Sequence, residues 1–153
     1  MKKENPLDRK VKLVYHDLEG KLATESIWAE KEGEYYKVKN IPFFAPNIAY
    51  DDLISVEDEN GELFFDSVIK PSGHSTIQII FFDLQHFEQI TNDLVRLSCA
   101  WEGSHLKEYI SVDVPKKVNY ATVRKYLIQK REDKQLDFQE ACLAHENDRL
   151  PGQ

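Results

Sequence analysis

The sequence predicts an α+β protein in two parts: a small antiparallel β-sheet or barrel over residues 1–73, and a ferredoxin-like βαββαβ half over residues 74–145. Three observations lead to this prediction. Apolar and polar residues alternate in short runs through the first half, as in half-buried strands. Glycine-containing turns separate these runs. In the second half, apolar residues also recur at three- and four-residue steps between alternating runs, which indicates helices between strands.

The first half is predicted to hold five short strands. Apolar residues occupy alternate positions in "KVKLVYH" at 10–16, which indicates a first strand. Two hairpin turns follow, one at Gly33 and one at Asn60-Gly61, and Asn-Gly between alternating runs is a strong hairpin signal. Between the hairpins, the two prolines of "NIPFFAPN" at 40–47 exclude a regular central strand, so we expect a loop packed onto the sheet.

The second half begins with the strand "TIQIIFFD", whose Asp83 is predicted to cap a helix. Two strands around Gly103 follow, and Asn119 is predicted to cap a second helix. The expected buried stripe of the first helix comprises Leu84, Phe87, Ile90, Leu94 and Leu97.

The last predicted strand lies in "DKQLDFQEACL", where the period shortens to two. Strict alternation would place Glu140 and Cys142 on one face and Leu143 on the other. The final residues, 146–153, have no periodicity and are predicted to be a flexible tail.

Composition and charge restrict the class of protein. The 153 residues carry 20 Lys and Arg against 27 Asp and Glu, a net charge of −7, which argues against nucleic-acid binding. No window is apolar enough for a membrane-spanning helix, and no signal peptide is recognisable. Cys99 and Cys142 are far apart in sequence and belong to no C-x-x-C pair, so we expect free thiols and a cytoplasmic location.

The segment "KPSGHST" at the boundary between the halves holds the main candidate site residues. Ser72, His74, Ser75 and Thr76 place an imidazole among three hydroxyls, a combination that suits ligand binding or general-base chemistry. The alternative is structural, in which Gly73 makes the turn and the hydroxyls bond nearby backbone groups.

Cofactors and metals are not expected. His74, His105, Cys142 and His145 are suitable metal ligands by type, but only the last two are close in sequence and no second pair accompanies them. Glycine-rich phosphate-binding strings are absent, and all six glycines are isolated.

Acidic residues concentrate around the second predicted hairpin. A solvated turn explains such a cluster, but an acidic surface also favours a basic protein partner, because complementary charge speeds association. The candidate binding residues from this region are Asp51, Asp52, Glu57, Asp58 and Glu59.

Four motifs, "SIWAE" at 26–30, "NIPFFA" at 40–45, "SGHST" at 72–76 and "EACLAH" at 140–145, resemble the bacterial family catalogued as domain of unknown function 4265 in sequence and spacing. The resemblance implies no activity, since the family has none assigned. Asn40 and Phe43 of the second motif join the candidate binding residues.

After the Phe pair, this chain has Asn47-Ile48-Ala49 in place of the family's usual glycine-containing turn. The loop is therefore a place where the chain departs from the family pattern.

The function expected from these observations is that of a non-catalytic cytoplasmic binding protein, most concretely an acidic immunity-type protein that occludes a basic toxin domain. Two alternatives stay open. One is a regulatory domain that senses a small molecule, by analogy with other ferredoxin-like modules. The other is a small enzyme that uses His74.

Overall fold

The computed structural model describes residues 8–145, so the predicted tail at 146–153 lies outside the described residues. Five strands form the first half, each antiparallel to the next, and a short parallel pairing of the first with the fifth closes them into a barrel. The strands are β1 (Asp8–His16), β2 (Leu22–Glu32), β3 (Tyr35–Val38), β4 (Leu53–Glu59) and β5 (Glu62–Lys70).

The predicted hairpin turns close two pairs of these strands. Asn60 and Gly61 both have positive φ, 57° and 90°, as a two-residue turn of this kind requires. The carboxylate of Asp58 accepts the N–H of Gly61 at 2.8 Å and stabilises the turn. Gly33 supplies the positive φ of the turn between β2 and β3.

The second half forms a four-stranded sheet with two helices. Its order is β7–β8–β6–β9, and all neighbouring strands are antiparallel. The chain is therefore an α+β protein with two antiparallel sheets. The elements are β6 (Ser75–Phe81), α1 (Phe87–Arg96), β7 (Ala100–Gly103), β8 (Tyr109–Val114), α2 (Tyr120–Glu132) and β9 (Leu136–Cys142).

Capping side chains define where the helical segments begin. Asn119 accepts a backbone N–H of the first turn of α2 at 3.2 Å, as predicted. Asp83 caps a short 3₁₀ turn at Leu84–His86 instead of α1 itself. The prediction that Leu84 lies in the buried stripe is wrong: a 3₁₀ turn does not continue the α-helical stripe, and this side chain is exposed.

The faces of β9 also differ from the prediction. A register shift makes Thr76 pair with Cys142 while Ile77 pairs with Glu140. The extra residue of this bulge puts Cys142 on the opposite face from Glu140 and allows Leu143 to pack against the apolar core.

Both helices pack on one face of the four-stranded sheet, where apolar side chains interlock. The buried side chains of this core include Ile77, Ile79, Ile90, Leu94, Ile110, Val112, Tyr120, Val123 and Leu127.

Neither helix in the described range is long and apolar enough to cross a bilayer.

The barrel has two different ends because its strands alternate in direction. The β2–β3 and β4–β5 turns lie at one end. The β1–β2 turn and loop 39–52, which joins β3 to β4, lie at the other. Loop 39–52 contacts the four-stranded sheet. The predicted division at residues 73 and 74 falls between β5 and β6 and stays a prediction.

Candidate functional site

The face of the four-stranded sheet that points away from the helices is polar and buried. Thr76 pairs with Asp113, and Gln78 pairs with Ser111. All four residues are buried. We call the contact between this face, loop 39–52 and segment 72–74 the junction. Buried polar groups need hydrogen-bond partners, and at the junction the backbone of the loop supplies several of them.

Hydroxyl groups of the sheet donate to carbonyl oxygens of the loop. Ser111 Oγ donates to the carbonyl of Ile41, and Thr76 Oγ1 donates to that of Ile48, each at 3.1 Å. These bonds join residues 70 and 28 positions apart in sequence. Thr76, a predicted binding residue, therefore directs its hydroxyl to the loop.

Glu25 on β2 fixes the centre of the loop. Its carboxylate accepts the backbone N–H groups of residues 43–45 at distances of 2.7 to 2.9 Å. Hydrogen bonds to an ionised acceptor are stronger than bonds between neutral groups. One side chain therefore satisfies three donors in a loop that has no regular secondary structure.

Asn40 and Phe43 are also held by hydrogen bonds that involve side chains. Asn40 accepts the N–H of Trp28 at 2.6 Å and donates to Glu102 at 3.1 Å. The Tyr109 hydroxyl donates to the carbonyl of Phe43. Both predicted binding residues are thus bonded across the junction.

The loop segment that departs from the family pattern contains a left-handed residue. Asn47 has φ of 63°, a conformation that glycine favours and asparagine tolerates. Its N–H donates to the carbonyl of Ala141 at 2.8 Å. Asn47 can therefore make the turn without a glycine.

Asp52 and Ser72 connect the loop to the segment before β6. The two oxygens of the buried Asp52 accept the N–H groups of Ser72 and Ala49 at 2.8 and 2.9 Å. Ser72 Oγ donates to the carbonyl of Tyr50 at 2.8 Å and accepts the N–H of His74 at 3.1 Å. Both side chains are thereby engaged with backbone groups.

His74 forms a pair with Asp113 at the junction. Its Nδ1 donates to the Asp113 carboxylate at 2.8 Å, and the two side chains are 17% and 7% exposed. Burial raises the pKa of the Asp113 carboxyl, and the hydrogen bond and charge of His74 oppose that rise. Within residues 8–145, the Nε2 atom of His74 has no hydrogen-bond partner. A neutral imidazole oriented by a carboxylate in this way can accept a proton at Nε2.

An ion pair and an aromatic ring lie beside this histidine. The Tyr50 ring centre is 5.7 Å from that of His74, and Lys39 Nζ is 5.3 Å from the Tyr50 ring centre. Asp51 bonds Lys39 at 2.8 Å. Burial lowers the pKa of Lys39, but the hydrogen bond and charge of Asp51 outweigh it and raise that pKa overall.

Ser75 lies on the other face of the sheet and contacts a second histidine. Its Oγ is 2.6 Å from Nδ1 of His145, whose Nε2 is 3.0 Å from the carbonyl of Pro115. The ring of His145 stacks on Tyr120. Ser75 is fully buried. The three hydroxyls of segment 72–76 therefore do not converge on His74.

The acidic candidates separate into two places. Asp51 and Asp52 lie at the junction, whereas Glu57, Asp58 and Glu59 are exposed at the other end of β4. Asp52 and Glu59 are seven steps apart along an extended strand, or roughly 23 Å. The five residues do not form one continuous surface.

The two cysteines are poor nucleophiles where they stand. Burial raises the pKa of Cys99 to about 12 and that of Cys142 to about 11. Both are free thiols. Among the described residues, no three His, Cys, Asp or Glu side chains are placed to hold a metal ion.

Sequence reasoning missed Asp113, Glu25 and Glu102. In "ISVDV" on β8, Asp113 alternates with apolar residues, a pattern that usually indicates a solvent-facing side of a strand. The carboxylate in this strand could have been named as a candidate, but the sequence does not show its partner, because His74 is 39 residues away.

The fold and the junction define a small α+β protein whose barrel is joined to its sheet by buried polar contacts. The chain belongs to the family described as Domain of unknown function (DUF4265), whose model matches residues 25–138. It is similar to a solved structure described as a novel crystal structure of a hypothetical protein from Neisseria gonorrhoeae. The two are 32% identical with a TM-score of 0.82, over 92% of this chain and 98% of the other. No curated protein matches the chain.

Proposed function

We propose that the chain is a non-catalytic binding protein for a basic protein partner, and most concretely an immunity-type protein that occludes a basic toxin domain. The observation that carries this proposal is the concentration of exposed carboxylates at the end of the barrel that faces away from the sheet. We call Glu34, Glu57, Asp58 and Glu59 the acidic end.

Strand direction brings these residues together. Glu34 lies in the β2–β3 turn, and the other three lie where β4 meets the β4–β5 turn. Both turns lie at the same end of the barrel. All four side chains are exposed, and no ion pair within residues 8–145 involves any of them. Charge of this kind attracts a basic partner and raises its association rate.

The junction is less suited to a protein partner. Asn40, Ser72 and Asp52 direct their polar atoms to other parts of the chain. A partner would have to compete with those bonds, which costs free energy. Within residues 8–145 the four carboxylates of the acidic end form no ion pair, although Arg9 donates to the carbonyl of Gly61 in the β4–β5 turn.

The test begins with affinity purification from the native cell, followed by binding kinetics of the purified partner. The variant Glu34→Gln, Glu57→Gln, Glu59→Gln removes three charges and leaves the turn bond of Asp58 intact. We expect the association rate to fall by about tenfold or more at low salt, because steering by charge contributes factors of about 10 to 1,000. The salt dependence of association should weaken in parallel.

A matched control removes three charges elsewhere, by Glu19→Gln, Glu88→Gln and Glu132→Gln, all exposed and outside the acidic end. The control should bind as the wild type does. An equal fall in association rate in both variants would show that the net charge of the protein, and not the acidic end, attracts the partner. Recovery of no basic partner would contradict the proposal.

A second candidate function is an enzyme that uses His74, favoured by its contact with Asp113 at 2.8 Å. Nε2 would accept a proton from water or from a substrate hydroxyl. The test is hydrolysis of a panel of esters and phosphoesters. His74→Asn keeps a donor near the Nδ1 position for Asp113 and removes Nε2. We expect this variant to abolish turnover with little change in melting temperature, and the exposed control His105→Asn to retain turnover. Absence of turnover in the wild type, or its survival in His74→Asn, would contradict this candidate.

The detailed fold of the second half and the cellular location of the protein are also proposals. The second half is proposed to be ferredoxin-like; its support is the β7–β8–β6–β9 order, the antiparallel neighbours and the two helices on one face. The location is proposed to be cytoplasmic, which the two free thiols support.

A further inference from the structure

His145 is bonded at every polar atom of its ring. Nδ1 lies 2.6 Å from Ser75 Oγ, and Nε2 lies 3.0 Å from the carbonyl oxygen of Pro115. The ring stacks on Tyr120 with 5.2 Å between centres. The backbone N–H groups of Ala144 and His145 also donate to Ser75 Oγ, at 2.9 and 3.3 Å. We call these five residues the C-terminal latch.

The geometry fixes the state of this imidazole. A carbonyl oxygen only accepts, so Nε2 carries a proton and donates it to Pro115. Both acceptor positions of Ser75 Oγ are taken by the two backbone N–H groups, so its hydroxyl proton must point at Nδ1. Nδ1 then accepts and carries no proton. The latch is complete only with a neutral His145 in the Nε2–H tautomer.

We propose that the C-terminal latch is a pH-sensitive device that closes with neutral His145 and opens when this ring is protonated. A proton on Nδ1 would face the hydroxyl of Ser75, whose acceptor positions are already used. A buried donor without a partner is costly, so the imidazolium favours the open state. Opening would detach residues 144 and 145 from β6 and expose Ser75 and one face of Tyr120.

Charged groups near the latch include carboxylates, which favour a protonated His145, and cations, which oppose it. Asp113 on β8 is near enough to interact with His145 and favours the imidazolium, but it is bonded to His74 at 2.8 Å. On β9, Glu140 accepts the Tyr120 hydroxyl and lies 3.4 Å from Arg124, which offsets its charge. From the segment before α2, Lys116 is exposed, and its side chain lies against Gly73. None of these groups supplies an acceptor for a proton on Nδ1.

The proposal is tested by NMR on the uniformly ¹⁵N-labelled wild-type chain. At pH 8 the ring of His145 should show the Nε2–H tautomer. As the pH is lowered from 8, the exchange protection of the Ala144 and His145 amides should fall by up to about tenfold per pH unit, the limit for one linked proton. Val112, in the core, provides the internal reference.

Two histidine variants complete the experiment. His145→Gln cannot titrate, so its Ala144 protection should not depend on pH, whereas exposed His105→Gln should behave as the wild type does. The proposal is overturned by the Nδ1–H tautomer at pH 8, by constant Ala144 protection while the ring protonates, or by the same fall in His145→Gln. The wild-type measurement decides the question even if His145→Gln does not fold.

Discussion

The two faces of the four-stranded sheet are both buried, but by different means. On the helix side, Ile77, Ile79 and Val112 interlock with apolar side chains of α1 and α2. On the barrel side, Thr76 and Ser111 donate to carbonyl oxygens of loop 39–52, and Asp113 accepts from His74 in segment 72–74. The first face is stabilised by removal of apolar surface from water, the second by the matching of donors and acceptors.

This difference has an energetic consequence. Apolar burial is roughly proportional to area and does not depend on orientation. Hydrogen bonds contribute little net free energy when made, but leaving one unmade at a buried site is costly. The helix side should therefore supply most of the stability, and the barrel side should determine where the barrel is placed.

The largest expected effect is that of Ile79→Ala on the helix side. This side chain is fully buried. Truncation should lower the free energy of unfolding by about 2–5 kcal/mol, because lost burial and the remaining cavity both contribute. Urea denaturation measures the change. A loss below about 1 kcal/mol would mean that this face is not closely packed.

Glu25→Ala on β2, which removes the acceptor for the centre of loop 39–52, should have the next largest effect. It leaves the N–H groups of residues 43–45 without their acceptor, and we expect a loss of about 1–3 kcal/mol. Thr24→Ala, an exposed neighbour on β2, is the matched control and should change stability by less than about 0.5 kcal/mol. Equal effects of the two variants would contradict the role assigned to Glu25.

A smaller effect is expected for Asp113→Asn, and it should depend on pH. Burial raises the pKa of Asp113, so the folded state holds this proton more tightly than the unfolded state. Stability from this group is therefore fully present below the ordinary pKa of an aspartic acid and is lost as pH rises through the raised value. Asparagine cannot ionise and avoids that loss.

The measurement is urea denaturation of wild type and Asp113→Asn at a series of pH values. The stability of the variant relative to the wild type should increase as the pH rises above about 4, by less than about 2 kcal/mol in total. The contributions of the other carboxylates to the pH dependence cancel, because both proteins contain them. A relative stability that falls with rising pH would show that the bond from His74 outweighs burial.

The smallest effect is expected for Gln78→Met on the barrel side, one residue before Ile79. The Nε2 atom of Gln78 is buried without a hydrogen-bond partner, and Gln139 donates to its oxygen. Methionine removes the unpaired donor and keeps a similar volume, while Gln139 is exposed and can bond water. We expect a change within about 1 kcal/mol in either direction. A loss as large as that of Ile79→Ala would remove the distinction between the faces.

The predictable part of the fold is the part that local patterns encode. Asn60 and Gly61 form the hairpin turn that their sequence predicts. Asn119 caps the helix that was predicted to begin there. The exposed position of Leu84 and the bulge in β9 were not predictable, because a 3₁₀ turn or an extra residue changes the phase of a pattern without changing its composition.

The site was harder to predict because its bonds are distant in sequence. Ser72, His74 and Asn40 were recognisable as candidates from their chemistry and their motifs. Their partners were not, since the bond from His74 to Asp113 spans 39 residues and that from Asn40 to Glu102 spans 62. Alternation within β8 does not distinguish a face that meets water from one that meets a loop.

The most direct test of this account is amide hydrogen exchange in loop 39–52 of the wild-type chain. The loop has no helix or strand, yet its N–H groups at residues 41, 43–45, 47 and 49 all donate within the chain. The account predicts that these amides exchange as slowly as those of the central strand β6. The amides of residues 41 and 47 are decisive, because they donate to Glu102 and Ala141 of the sheet half. Exchange of these two amides as fast as in the exposed β1–β2 turn would contradict a barrel fixed to the sheet by hydrogen bonds.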